Sequence, residues 1–124
     1  MKTIAFFLCI FTFTTVNLSA QNSLANTKWT GMANIPSPLP VVFEFGKDSL
    51  AMKNNNDVLE LMQYSIKQDS LIIKKISGMS PCGDTPAYYK FSIKNNTLFI
   101  EPVADSCPER SSAFTSEGYK EAKQ

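Results

Sequence analysis

Few of the residue types that carry most enzyme chemistry occur in this sequence. It has no histidine, three cysteines and eleven acidic residues. Without histidine, the chain cannot build a Ser-His-Asp or Cys-His nucleophilic site, a histidine-ligated zinc or a histidine general base. Its five glycines are scattered singly, so no phosphate-binding glycine loop is present. We therefore expect no catalytic residues, no metal and no cofactor.

Carboxylates are the remaining route to catalysis. Asp48 and Asp69 occupy equivalent positions of a repeated pattern described below, which favours turn formation over a catalytic pair. Two carboxylates that converge only in three dimensions could still hydrolyse a glycoside. That is the enzymatic alternative to the prediction that this chain is not an enzyme.

The first twenty residues are typical of a cleavable signal peptide. Lys2 gives a positive start, and the apolar run at residues 4–16 is too short for a membrane span of roughly 20 residues. Cleavage after Ala20 leaves residues 21–124 as one domain, secreted or periplasmic, with no further apolar segment able to span a bilayer. The alternatives are a lipoprotein anchor at Cys9 and an uncleaved membrane anchor.

Cys82 and Cys107 are the two cysteines that remain after cleavage. An even number of cysteines in an exported chain predicts a disulfide. Such a bond would stabilise this small domain by about 3–4 kcal/mol. The alternative is a metal-binding or catalytic thiol pair. Basic and acidic residues nearly balance, so no basic stripe predicts nucleic-acid binding.

The elements that position these residues form a repeated hairpin pattern. Residues 43–52, 64–73 and 91–100 each place two alternating apolar residues on either side of a polar turn. Such alternation predicts antiparallel hairpins, with apolar pairs on one face of the sheet. The predicted pairs are Phe43 with Met52, Phe45 with Leu50, Tyr64 with Ile73, Ile66 with Leu71, Phe91 with Ile100, and Ile93 with Leu98. The implied turns are Lys47-Asp48, Gln68-Asp69 and Asn95-Asn96, of which only the last suits a tight hairpin.

Two further strands complete the predicted fold. One lies around residues 27–35 with Trp29, and the other lies within residues 113–122 with Tyr119. About eight sequential strands predict an all-β, antiparallel up-and-down meander that closes into a small barrel. A two-sheet β-sandwich is the alternative fold.

Several segments interrupt the alternation. Residues 57–63 mix the two faces, which indicates either a bulge or one helical turn capped by Asp57. Residues 35–40 are proline-rich and predict a loop before the first hairpin. Pro81, Pro86, Pro102 and Pro108 predict loops at the open end of the third hairpin, where the two cysteines would meet.

The short strand carrying Asn26-Thr27-Lys28-Trp29-Thr30-Gly31, followed by a hairpin meander, resembles the lipocalin-like (calycin) barrels of small secreted proteins. In that family an arginine near the last strand packs against the tryptophan. The resemblance therefore implies a barrel-closing contact between Trp29 and Arg110, worth about 0.5–2 kcal/mol. An ordinary surface arginine is the alternative.

The side chains predicted to face the barrel interior suggest ligand binding, which the resemblance to lipocalin-like barrels also implies. A small, mostly apolar ligand would lie inside the barrel, oriented by the Tyr64 and Tyr89 hydroxyls. Alternatively, the same side chains fill the barrel. The predicted ligand-binding residues are Phe43, Phe45, Met52, Met62, Tyr64, Tyr89 and Phe91.

The outward positions suggest a second function. Val42, Ile72 and Phe99 flank the repeated inward positions and predict an apolar outer patch for a protein partner. The chain would then be a non-catalytic interaction or envelope module, inhibitor-like and solid inside, with residues 36–40 as a projecting loop. Alternatively, the N-terminal loop or the C-terminal tail covers this patch.

Overall fold

The computed structural model describes residues 23–122. The predicted signal peptide, its cleavage site and Cys9 lie outside the described residues. No helix within these residues could span a bilayer. The elements in chain order are β1 (Thr27–Asn34), β2 (Pro38–Phe45), β3 (Ser49–Asn54), β4 (Asp57–Lys67), β5 (Ser70–Gly78), β6 (Ala87–Lys94), β7 (Thr97–Ala104), α1 (Pro108–Ser111) and β8 (Tyr119–Glu121).

The eight strands form one closed antiparallel barrel in sequence order. This confirms the predicted up-and-down meander rather than the sandwich. Closure of the barrel depends on few paired residues, because β8 pairs with only two residues of β1 and two of β7. Gly31 permits this contact, since a β-carbon there would lie 2.5 Å from the Tyr119 ring.

All three predicted hairpin registers are confirmed. Phe43 pairs with Met52, Tyr64 with Ile73, and Phe91 with Ile100. Alternation fixes this register, because a slip of one residue would turn every apolar side chain to solvent. The residues of the six predicted apolar pairs are buried or partly buried, except Ile93, which is exposed.

The three hairpin turns lie at one end of the barrel, which we call the turn end. Asn95 and Asn96 both have positive φ, as a type I′ turn requires. Gln68 adopts a φ of 58°, and the first turn is closed by a hydrogen bond of 2.8 Å from Gly46 N to Ser49 O. The predicted turn residues are therefore at the turns in each hairpin.

Strand β4 contains a bulge rather than a helical turn. Its pairing with β3 shifts between Met52 and Lys53, so that Leu59 is the extra residue. This explains the mixed alternation of residues 57–63. A second shift, in the β4–β5 pairing, leaves Ile76 as the extra residue of β5.

Two predictions about proline were wrong. Pro38 and Pro40 belong to β2, where they pair with Asn34 and Met32, so the predicted loop shortens to residues 35–37. Pro102 belongs to β7 and pairs with Tyr89. The reason is the same in both strands: β3 and β8 do not reach these positions, so each proline has a strand on one side only.

The opposite end, which we call the loop end, carries the two long connections, at residues 79–86 and 105–118. The second connection contains α1 and then runs beside β1, where Asn34 N donates to Ala113 O at 3.0 Å and Ala33 forms a bridge with Phe114. This segment thereby takes the place of the missing length of β8.

Candidate functional site

The barrel interior contains the residues predicted to bind a ligand. Phe43, Phe45, Met62, Tyr64 and Tyr89 are at most 3% exposed. Met52 and Phe91 are partly buried and pack against this core. All seven residues are therefore brought together, as the alternation predicts.

These side chains pack on one another and on a residue that the alternation does not predict, Phe114. Phe114 reaches in from the 105–118 connection and stacks on Phe43 at a centroid distance of 5.6 Å, with Tyr89 edge-on at 5.0 Å. Tyr119 meets Phe43 edge-on at 4.8 Å, within the range favoured by aromatic pairs. The loop end of the interior is thus occupied by the protein's own rings.

The two tyrosine hydroxyls expected to orient a ligand both bind the protein instead. Tyr64 donates to Gly46 O at 2.6 Å, at the turn end. Tyr89 donates to the Asp105 carboxylate, at the loop end. Burial raises the pKa of the Tyr89 hydroxyl, and the carboxylate beside it raises it further. Tyr89 is therefore a neutral donor at any physiological pH.

Asp105 is the centre of a buried polar network at the loop end. Its two oxygens accept hydrogen bonds of 2.7 Å from Nε and Nη2 of Arg110, and Oδ1 also accepts the Cys107 backbone N–H at 2.8 Å. Burial alone would raise the pKa of the Asp105 carboxyl, but the bonds from Arg110, Tyr89 and Cys107 outweigh it and hold the pKa below its usual value. The same pairing raises the pKa of Arg110.

Arg110 and Trp29 do not form the stacked pair that the family resemblance implies. The Arg110 guanidinium binds Asp105. Trp29 Nε1 donates to Thr27 Oγ1 at 2.8 Å, near the start of β1, whereas the segment carrying Arg110 joins β1 at its far end, through Asn34. The two residues therefore lie toward opposite ends of the barrel. Sequence reasoning missed Asp105, although an acid five residues before a basic side chain in a loop is a detectable signal.

Cys82 and Cys107 form the predicted disulfide, with Cα atoms 5.5 Å apart. The bond joins the 79–86 connection to the residue that precedes α1. Because Cys107 also donates its N–H to Asp105, the disulfide and the polar network hold the same loop. Both act on the segment that closes the barrel.

A second buried cluster supports the bulged part of β4 and β5. Glu60 is 5% exposed and accepts hydrogen bonds from the Ser80 hydroxyl at 2.5 Å and the Ser80 N–H at 3.2 Å. Lys75 Nζ lies 3.5 Å from Glu60 and donates to Ser80 O at 2.5 Å. These groups satisfy one another, and the cluster fixes the start of the 79–86 connection. The sequence pattern did not reveal this cluster, because Glu60 lies at an inward position of β4, where alternation predicts an apolar side chain.

A cavity of about 320 Å³ lies on the outer surface near the turn end. Glu44 lines it between two lysines: Oε2 lies 2.6 Å from Lys53 Nζ, and Oε1 lies 3.5 Å from Lys28 Nζ. The hydrogen bond from Lys53 lowers the pKa of the Glu44 carboxyl. Among the described residues, no group of three or more histidine, cysteine, aspartate or glutamate side chains could hold a metal ion.

The outer apolar residues are arranged differently from the prediction. Val42, Ile72 and Phe99 are each half-buried and lie on β2, β5 and β7, so they do not form one patch. Ile72 alone joins an apolar row, because it pairs with Tyr88, which pairs in turn with Ala104. Within residues 23–122, the large apolar side chains that are exposed are Val58, Ile76, Met79, Tyr88, Ile93 and Val103.

Searches against protein-family models, curated proteins and solved structures found no significant match to this chain.

Proposed function

We propose that this chain is a non-catalytic, exported, lipocalin-like module that binds another protein through its outer surface. The observation that carries the proposal is the occupied interior. Phe114 packs between the rings of Phe43 and Tyr89, and the inward tyrosine hydroxyls bind backbone and carboxylate groups of the chain itself. A protein of this kind would use its barrel as a rigid support.

The outer surface supplies the second line of support. Tyr88 is 46% exposed and Met79 is 78% exposed. Partly exposed aromatic and methionine side chains are enriched where proteins bind one another. The sequence alone also allows a ligand inside the barrel, and that alternative remains a prediction that requires displacement of Phe114.

Native mass spectrometry of the protein, gently purified from the cells that produce it, tests the proposal. We expect the intact chain to retain a second protein in stoichiometric amount. Retention of a small organic molecule by the folded monomer would contradict the proposal and favour the ligand-binding alternative. A bare monomer under conditions that preserve known weak complexes would also count against it.

A further inference from the structure

One outer face of the barrel is basic. Strands β4, β5 and β6 direct alternate residues outward, and the outward positions include Lys67, Lys74, Lys90 and Lys94, all exposed. We call these lysines, together with Ile72 and Tyr88, the lysine face. Among the described residues, none of the four lysines forms a salt bridge.

The strand register places Lys67 and Lys90 in the row next to Ile72 and Tyr88, whereas Lys94 lies two outward positions beyond Lys90 along β6. One row runs Ser65–Ile72–Tyr88–Ala104 across β4 to β7, and the next runs Lys67–Ser70–Lys90–Glu101. Lys74 lies on the other side of Ile72 along β5. Because neighbouring strands are about 4.8 Å apart, the half-buried Ile72 and the Tyr88 ring have lysines on both sides.

This concentration of charge is not a property of the whole chain. The full sequence has twelve basic and eleven acidic residues. Glu101 is the carboxylate that the register places beside the lysine face, opposite Lys90, and Asp69 lies in the turn at its edge. Like charges within about 10 Å act together at ordinary ionic strength, so this face attracts anions.

We propose that the lysine face binds an acidic segment of a partner protein, one that carries an apolar side chain to lie against Tyr88 and Ile72. The inference rests on the proposed function and names the chemistry of the partner. Charge complementarity selects the occupant: a second copy docking by a two-fold axis would set the lysines against one another. A half-buried isoleucine and a single tyrosine on a sheet provide little apolar surface for insertion into lipid.

The probe is a synthetic peptide with a Leu-Leu centre flanked on each side by three glutamates. It is titrated into isotope-labelled protein in about 0.05 M and about 0.5 M salt. We expect amide shifts at Ile72, Tyr88 and Lys90 that largely disappear at the higher salt concentration. Shifts that map instead to β1–β3, or that are insensitive to salt, overturn the proposal.

Three variants make the titration specific. Lys90→Glu is expected to weaken peptide binding at least about fivefold, while the matched control Lys47→Glu, in the first hairpin turn, changes it less than about twofold. Glu101→Gln removes the neighbouring carboxylate and is expected to strengthen binding, a gain that impaired folding cannot produce. Equal losses in Lys90→Glu and Lys47→Glu, or no gain in Glu101→Gln, overturn the proposal.

Vesicles containing phosphatidylglycerol separate the proposal from its competitor. Binding to these vesicles without binding to the peptide would make the lysine face a lipid surface and overturn the proposal, as would binding to neither probe. If Lys90→Glu retains the partner seen in native mass spectrometry as tightly as wild type does, this inference fails while the proposed function stands. If no protein is retained, the proposed function itself fails.

Discussion

Asp105 and Arg110 are five residues apart and bind each other through two hydrogen bonds of 2.7 Å, with side chains 0% and 6% exposed. The pair lies in the connection that completes the barrel between β7 and β1. The pair therefore holds the 105–118 connection in place against the barrel, and the Tyr89 hydroxyl extends the network to β6.

Replacing Asp105 by alanine is expected to destabilise the fold strongly. The substitution leaves the Arg110 cation buried without its partner, which typically costs about 3–5 kcal/mol. Urea unfolding measures the loss. The control is Asp84→Asn, an exposed position in the 79–86 connection, which we expect to change the free energy of unfolding by at most about 0.5 kcal/mol. Similar effects in the two variants would show that the network contributes little.

Stability should fall in acid because of the same carboxylate. The folded-state pKa of Asp105 is held below its ordinary value of 3.8, so its contribution is fully present above that value and is lost as the pH falls through the lower, folded-state pKa. Glu44 acts in the same direction, because Lys53 lowers its pKa. We expect the unfolding free energy of Asp105→Asn to depend less on pH below about 4 than that of wild type. Parallel pH profiles would contradict this assignment.

Loss of the disulfide should loosen one end of the barrel first. The Cys82–Cys107 bond spans 25 residues, and its removal is expected to cost about 3–4 kcal/mol. Reduction, or the Cys82→Ser/Cys107→Ser double variant, should increase amide exchange in residues 105–118 before it does so in β2–β4. Uniformly faster exchange would mean that the bond stabilises the barrel as a whole rather than this connection.

Phe114→Ala should open a cavity at the loop end. Truncation removes the ring that packs on Phe43 and Tyr89, with an expected loss of about 3 kcal/mol in thermal or urea unfolding. Ile93→Ala, at a position 41% exposed, is the matched apolar control, with an expected effect of about 0.5 kcal/mol. A loss no larger than that of the control would show that Phe114 is not part of the packed interior.

The sequence predicts the parts of this fold that follow from local alternation. Hairpin registers such as Phe43 with Met52 depend only on which face must be buried, and the asparagine turn depends on positive φ. Prolines were misplaced, because whether Pro102 can join a strand depends on where a distant strand, β8, ends. Local pattern does not contain that information.

The candidate site was only partly predictable for a related reason. Inward residues of regular strands, such as Tyr89, are identified by period two. Phe114 and Asp105 lie in an irregular connection, where no periodicity shows which side chains enter the barrel. The row joining Ile72 to Tyr88 crosses two hairpins and requires the β5–β6 register, which the hairpin pattern leaves undetermined.

The barrel interior is filled by the protein's own side chains, among them Phe43, Tyr89 and Phe114. Trp29, the single tryptophan, is 2% exposed in the core and reports on the interior. Titration with the neutral fluorophore N-phenyl-1-naphthylamine, followed by energy transfer from Trp29, tests the claim directly, with Phe114→Ala as the variant in which a cavity exists. We predict no saturable binding to wild type. Saturable one-to-one binding to wild type, with transfer from Trp29, would contradict a filled interior.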